Sequence, residues 1–257
     1  MAIKNNGIKS NNSHSFDTAI AITAILLIWY IISAVANIAF LPSPISVLEN
    51  IFYKFTDDLW LHAVYSLSRI ILGISISLVL GLGIGLGMGY YPWWDRAFSS
   101  FVYLLYPVPK IALLPLVMMV CGIGETAKIT MLVLIIVFQI IVASRDSVKT
   151  IPQEVYYSLK VLGAKDITIF RRVVFPATLP SIFSAIRISL GTALSVLFFT
   201  ETFGTTYGMG YYIMNSWTRV NYVDMFSGIV VLGIMGFILF YVVDILLKYC
   251  CPWKTQS

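Results

Sequence analysis

Six stretches of the chain are long and apolar enough to cross a membrane: roughly 18–41, 63–89, 98–121, 126–144, 177–200 and 226–249. A hydrocarbon core of about 30 Å takes about 20 apolar residues of helix, so each stretch predicts one spanning helix. The polar gaps between them are short except for 145–176, and none has room for a separate soluble domain. The 42–62 gap, PSPISVLENIFYKFTDDLWLH, opens on Pro42 and Pro44 and then reads as a short amphipathic helix, with Ile45, Leu48, Ile51 and Phe52 along one side. In 145–176, spacings of four and three put Val155, Leu159 and Leu162 on one face of a helix over about 153–162. Pro152 suits its first turn and Gly163 its stop. A second helix is expected over about 166–175, with Asp166 as its N-cap and Pro176 closing it. Ile167, Phe170 and Val174 line its apolar side, and Arg171 and Arg172 project away. Two short amphipathic helices meeting at a glycine make a knob clear of the membrane, shaped to dock on a soluble partner.

Two spans carry irregularities. GLGIGLGMG, Gly81 to Gly89, follows no strand and lacks the lysine of a nucleotide loop. On a helix, Gly81, Gly85 and Gly89 align four apart and let a neighbouring helix approach closely. Pro107, Pro109 and Pro115 interrupt the 98–121 span. Each removes a backbone donor and strains the turn before it, and freed carbonyls at membrane depth need protein or a wet cavity. A broken helix lining a solute pathway and a kinked packing helix both satisfy this.

Composition settles the class. Of 257 residues, 59% are hydrophobic and only 11% charged, with a mean hydropathy of +0.87. Soluble domains carry about 25% charged residues, so most of this surface must face lipid or other apolar helices: an all-α integral membrane protein. The formal net charge of +5 sits in particular loops, which argues for membrane orientation and against nucleic acid. With the N-terminus inside, cytoplasmic segments hold eleven cations, Lys4, Lys9, Arg96, Arg145, Lys149, Lys160, Lys165, Arg171, Arg172, Lys248 and Lys254. External segments hold three: Lys54, Lys128 and Arg219. The expected organisation is a cytoplasmic tail over 1–17, one membrane domain over 18–249 with a cytoplasmic loop at 145–176, and a cytoplasmic tail over 250–257, in the cytoplasmic (inner) membrane of the cell. The 18–41 run exceeds the roughly 7–15 residues of a signal h-region and reads as a retained helix. Cys121, Cys250 and Cys251 lack metal-ligand spacing and read as apolar fillers, with lipidation of the adjacent pair the alternative. His14 and His62 are isolated, so no metal site is expected.

The cytoplasmic loop resembles the EAA loop of binding-protein-dependent ABC importer permeases, type I, in the taurine, sulfonate and nitrate branch. The loop shows a three-residue signature, Tyr157-Ser158-Leu159, then Gly163, then Val173, Phe175 and, thirteen positions after the glycine, Pro176. The similarity spans roughly 42–253, through LPSPISVLENI, YSLSRIILG, YPVPKIALLPL, GIGETAK, LGAKDITIFRRVVFPATLPSI, IRISLG, and TETFG followed by GMG. It implies the six-helix type I transmembrane-domain fold and a permease subunit of an ATP-driven importer. The partners implied are ABC ATPase subunits that bind ATP and magnesium, an extracytoplasmic solute-binding protein, and a second permease copy, as homodimer or heterodimer. It also implies no enzyme activity and no cofactor on this chain, and coupling residues at Glu154, Tyr157, Ser158, Leu159, Gly163, Ala164, Lys165, Asp166, Phe170 and Pro176. The family's usual glutamate falls at Tyr157 and its two alanines at Ser158 and Leu159. Glu154, three residues earlier on nearly the same face, is a candidate substitute or a plain solvated glutamate. Relatives often carry an arginine just before the first proline of the broken span and a further proline four positions after it; here those positions are Tyr106 and Lys110.

Ionisable groups inside a membrane usually face a bundle interior or wet cavity. Pathway candidates are therefore Pro107, Pro109, Lys110, Arg69, Arg187 and Glu201. Lys110 either lines the pathway or bonds carbonyls freed by the prolines. Arg69 and Arg187 read chiefly as structural, paired with carbonyls or with Glu201. Asp244 is expected to pair with Lys248. Three cations against one anion suit an anionic solute such as a sulfonate, taurine, nitrate or carboxylate. Glu125 reads as a helix N-terminal charge or a contact for the binding protein, and the 201–225 loop as a gate or docking surface whose Tyr211, Tyr212 and Trp217 also suit interfacial anchoring. An intramembrane enzyme would need clustered His, Asp or Ser groups, which are absent from the pattern. An ion-coupled secondary transporter would leave the knob without a purpose.

Overall fold

The computed structural model describes residues 10–36 and 40–253, with side chains from Ile20 onward apart from Ala36. Residues 1–9, 37–39 and 254–257 lie outside that description, and with them Lys4, Lys9, Lys254, most of the N-terminal tail and the end of the first expected span. The side chain of His14 lies outside it too. Every regular element among the described residues is helical: α1 (Ser10–Ala36), α2 (Pro44–Lys54), α3 (Trp60–Tyr90), α4 (Pro92–Leu105), α5 (Leu114–Cys121), α6 (Glu125–Lys149), α7 (Gln153–Val161), α8 (Asp166–Ile169), α9 (Phe175–Glu201), α10 (Met209–Thr218) and α11 (Tyr222–Cys250). Four continuous helices are long and apolar enough to span: Pro44–Tyr90, Glu125–Lys149, Asp166–Glu201 and Tyr222–Cys250. Helix α4 and the segment Lys110–Cys121, bent by 84°, make a fifth. The apolar part of α1, Ile20–Val35, is shorter.

The core is built where α3, α6 and α9 meet, around Ile70, Met131, Leu132, Ile136, Ile140, Leu190 and Leu197. Helices α3 and α6 run parallel in a fixed register. A Cβ at Gly73, Gly81 or Gly89 would meet the side chain of Leu132, Ile140 or Val148 at 2.8, 2.8 and 2.5 Å, and every pair is offset by 59 residues. At Gly85 it would come within 2.6 Å of the Ile141 carbonyl oxygen. The glycine stripe therefore does what its spacing predicts: it removes side chains so that two backbones approach, the association available where lipid supplies no hydrophobic drive.

Prolines act differently at different places. Pro107 and Pro109 fall between α4 and the 3₁₀ turn Lys110–Leu113, at the break itself. Pro115 instead sits in the first turn of α5, where a missing N–H costs nothing, so it does not interrupt the span as expected. Pro176 does not close a helix either. A five-residue π turn, Phe170–Val174, joins α8 to α9, and the helix runs unbroken for 36 residues from Asp166 to Glu201 through Pro176 and Pro180. The wider turn makes room for a proline ring and loosens the bonds a proline would break. A second π turn, Phe55–Leu59, fuses α2 to α3, so the 42–62 segment is the start of a long helix rather than a separate one.

Its expected apolar side also differs: Pro44, Val47 and Leu59 are buried, whereas Ile45, Leu48 and Phe52 are exposed. Asn50 Nδ2 fixes that choice by donating to Asp224 Oδ1 at 2.8 Å and Ser227 Oγ at 2.9 Å on α11. The 201–225 segment is not an open loop: α10 occupies its centre. Tyr212 is buried against His62, ring centroids 5.3 Å apart, rather than anchored at the interface, while Trp217 is exposed.

Candidate functional site

Helix α7 ends at Gly163, whose φ of +76° no side chain adopts cheaply. The reversal is closed by Gly163 N–H donating to the Lys160 carbonyl at 2.9 Å and Ala164 N–H to that of Leu159 at 3.0 Å. The chain then turns into α8, forming an elbow at the foot of the 36-residue helix. Ile169 and Val174 are buried against Leu86 of α3 and Val148 of α6, with Tyr156, Leu159, Ala164 and Phe170 packed around them. Burial pushes the Tyr156 hydroxyl above the ordinary phenol range. Asp166 is the first helical residue, not the cap: Lys165 takes the extended cap conformation, and Asp166 Oδ1 accepts from Tyr90 Oη at 3.2 Å and lies 3.7 Å from Lys160 Nζ. Leu162 and Ile167 are exposed rather than on the packed face, because Ile169 takes that place. Glu154, Tyr157, Ser158, Lys165, Arg171 and Arg172 are all exposed on the elbow. Tyr157 Oη donates to Gln153 Oε1 at 3.3 Å, and Ser158 Oγ to the Glu154 carbonyl at 2.8 Å.

The 84° break opens a cleft of about 530 Å³, lined by Tyr106, Val108, Lys110 and Ile111 on one side, Ile135, Phe138 and Gln139 of α6, and Thr192, Ser195, Val196 and Phe199 of α9. Lys110 Nζ donates to the Tyr106 carbonyl at 2.9 Å, a group freed by the prolines, and stands 4.8 Å above the Phe138 ring. The lysine thus bonds a freed carbonyl, as one sequence reading had it, while standing in the cleft lining. Ser189, fully buried, donates to Gln139 Oε1 at 2.8 Å and so turns the amide nitrogen toward Thr192. Gln139, Thr192 and Ser195 escaped the sequence reading because nothing in an apolar helix marks one polar residue above another.

Arg69 and Glu201 are not at the cleft. They form a buried ion network on the other side of α9. Arg69 Nη1 donates to Glu201 Oε1 at 2.5 Å and to the Tyr207 carbonyl at 2.8 Å; its Nε and Nη2 grip both oxygens of Glu125, at 2.6 and 2.5 Å. Glu201, fully buried, also accepts from Ser66 Oγ at 2.7 and 2.8 Å and from Gly210 N–H at 2.9 Å. Ser66 in turn accepts from Met209 N–H, and Lys128 Nζ donates to the carbonyls of Gly124 and Gly204. The strap 202–208 is thereby tied to α3, α6 and α9. The pairing of Arg69 with Glu201 follows the sequence reading, and Glu125 is the first residue of α6, the helix N-terminal charge expected; its grip on Arg69 and the contacts of Lys128 are additional. Arg187 meets neither: its Nη1 lies 3.0 Å from Asp244 Oδ1, which gives Asp244 an interhelical partner in place of Lys248. Two of the three cations counted toward an anionic solute are thus neutralised locally. Lys110 keeps no carboxylate partner among the described residues. No group of three or more His, Cys, Asp or Glu there could hold a metal ion.

The family model for the binding-protein-dependent transport system inner membrane component matches residues 77–255. The taurine transport system permease protein TauC of Escherichia coli (strain K12) is 30% identical over 243 residues, covering 91% of this chain and 88% of that protein. The putative aliphatic sulfonates transport permease protein SsuC of the same organism is 34% identical over 195 residues, covering 75% of this chain and 74% of that one. Among solved structures, an inward-facing MetNI methionine ABC transporter superposes with a TM-score of 0.65 at 22% identity over 75% of this chain and 97% of the other. A bacterial ABC transporter involved in alginate import gives 0.63 at 15% over 93% and 99%. The fold built around the broken span, the elbow and the α3–α6–α9 core is shared with these importers, and the chain belongs to the binding-protein-dependent inner membrane components: it is a permease subunit of an ABC importer, not an enzyme, with the ATPase on a separate chain.

Proposed function

We propose that this permease takes its ATP-driven motion through the elbow at 153–175 and passes it to the cleft around Lys110. Both termini lie in the cytoplasm, a second permease copy, identical or not, completes the pathway, and an external binding protein delivers the solute. The observation that carries the reading is the single helix from Asp166 to Glu201. Its foot is the exposed elbow, and its upper part supplies Thr192, Ser195 and Phe199 to the cleft. Force applied at Phe170 runs up this one helix to the cleft, and force applied at Tyr157 or Lys165 enters it through the packing of Tyr156, Leu159 and Ala164 against Ile169 and Val174. The excess of lysine and arginine in 145–176 supports a cytoplasmic elbow. Glu154 stands within one turn of Tyr157 and is exposed, as a stand-in for the family's glutamate must be.

The solute is a small anion of the sulfonate, taurine or nitrate type. Lys110 supplies the one charge at a cleft otherwise lined by aliphatic and aromatic side chains with Gln139, Thr192 and Ser195 as its polar groups, and the relatives named above are a taurine and an aliphatic sulfonate permease. The test is uptake and ATP hydrolysis measured together in proteoliposomes holding the complete importer. Inserting two glycines between Arg172 and Val173 should leave ATP hydrolysis running while uptake stops. Unchanged uptake overturns the coupling reading, and competition of uptake by cationic rather than anionic solutes overturns the anion reading.

A further inference from the structure

The glycine run of α3 holds more than its packing stripe. Gly83 and Gly87 lie on a different face from the stripe that meets α6. A Cβ on Gly87 would strike the Trp94 ring, and nothing stands within 4 Å of one on Gly83. The space over Gly83 is part of an apolar groove of about 560 Å³, walled by Trp93 and Trp94 on one side and Phe170 and Phe175 on the other. Trp93 is 64% exposed.

Three observations fix the kind of occupant. Depth comes first: Phe175 lies 26 residues from Glu201, about 39 Å along a helix, whereas the hydrocarbon core is about 30 Å thick. With Glu201 near the outer boundary, one end of the groove is at acyl-chain level and the other among headgroups. Tryptophans at that height are ordinary interfacial anchors. Charge is second: Arg171 and Arg172 directly follow Phe170 in the groove wall, both are exposed, and neither pairs with a carboxylate among the described residues. Third, Arg171 lies four residues after Ile167 and four before Phe175, both in the groove lining, so a cation and the apolar channel share one helical face, an arrangement that suits one amphiphile rather than a soluble anion.

We propose that this groove is a binding site for an anionic phospholipid, its acyl chain lying over Gly83 against Trp93 and Trp94 and its phosphate held by Arg171 and Arg172. The inference goes beyond the coupling reading and shares with it the cytoplasmic orientation of the elbow and Phe170, which stands in the groove wall. A lipid held there wedges between the α3–α4 corner and the foot of the long helix.

The test uses the importer purified with its ATPase, with Trp29, Trp60, Trp217 and Trp253 replaced by Phe so that Trp93 and Trp94 report. It is reconstituted in vesicles doped with brominated phosphatidylglycerol or brominated phosphatidylcholine, and quenching is titrated. Quenching should be several-fold more effective with phosphatidylglycerol. Arg171→Gln and Arg172→Gln should each reduce that preference, by roughly fivefold at most for a cation at the membrane surface. Gly83→Leu should weaken quenching by both lipids, since its side chain enters open space. Equal quenching by the two lipids, or a preference that survives loss of both arginines, overturns the proposal. No quenching by either lipid also overturns it, because the groove is then covered by protein, a second copy or the ATPase. The arginine variants keep the test valid if Gly83→Leu fails to assemble. ATPase co-purification, read on the same samples, reports on the coupling proposal separately.

Discussion

Replacing Arg69 by Met removes the cation from a site where Glu201 has no exposed surface and Glu125 is about half exposed. The two carboxylates then fare differently. Glu125, about half exposed, can turn to water and recover its hydration, so its loss of the cation costs little. Glu201 cannot; it keeps Ser66 and the Gly210 N–H but loses its counter-ion, and stranding a buried charge costs about 3–5 kcal/mol. For a chain of this size about 1 kcal/mol moves the melting temperature by 2–4 °C, so the loss is roughly 6–20 °C. The double variant Arg69→Met with Glu201→Gln should recover most of it, because the amide still accepts from Ser66 and leaves no net charge behind. Melting of the detergent-purified chain, followed by helical circular dichroism, reads all four corners of the cycle. A single variant within about 2 °C of the parent, or a double variant no better than the single, would show that the network carries no stability and that the strap is held by something else.

Gly85→Leu and Gly89→Leu should each lower stability by at least 1–3 kcal/mol through overpacking against α6, whereas Gly83→Ala should be close to neutral; equal effects at the three positions would refute the parallel α3–α6 register. Lys110→Gln should raise the KM for an anionic solute several-fold with ATPase assembly intact, and uptake that is unchanged would remove Lys110 from the pathway. Tyr212 has a buried hydroxyl with no hydrogen-bond partner among the described residues, pushed above the ordinary phenol range first by burial and then by Asp224, Asp58 and Asp57. Tyr212→Phe should therefore cost nothing or stabilise slightly. Because the folded chain holds that proton more tightly, titration of this tyrosine leaves stability unchanged below about pH 10 and lowers it as pH rises above that. A pH–stability profile identical in parent and Tyr212→Phe would contradict this.

The pattern of the chain was readable wherever a local rule decides the outcome. Apolar runs located the long helices, the four-residue spacing of Gly81, Gly85 and Gly89 foretold a close neighbour, and Gly163 marked the elbow. What escaped depends on distance in sequence. Arg69, Glu125 and Glu201 meet across 56 and 132 residues, and no window of the sequence contains them together. Arg187 and Asp244 likewise choose each other across two helices, overriding the i,i+4 geometry that favoured Lys248. Pro176 misled for another reason. A proline ends an α-helix as a local rule, but a π turn placed just before it absorbs the strain, and π turns leave no composition of their own.

The Glu201 anchor decides where a tilting helix can pivot. If the far end of Asp166–Glu201 is the fulcrum, displacement grows with distance from it: Phe170 lies 31 residues away, about 46 Å, and Ser195 only six, about 9 Å. A swing that carries the elbow sideways by some 8 Å, a tilt of about ten degrees over that arm, shifts Ser195 by less than 2 Å. Leverage of this sort opens the inner half of the passage widely while its outer rim stays nearly still.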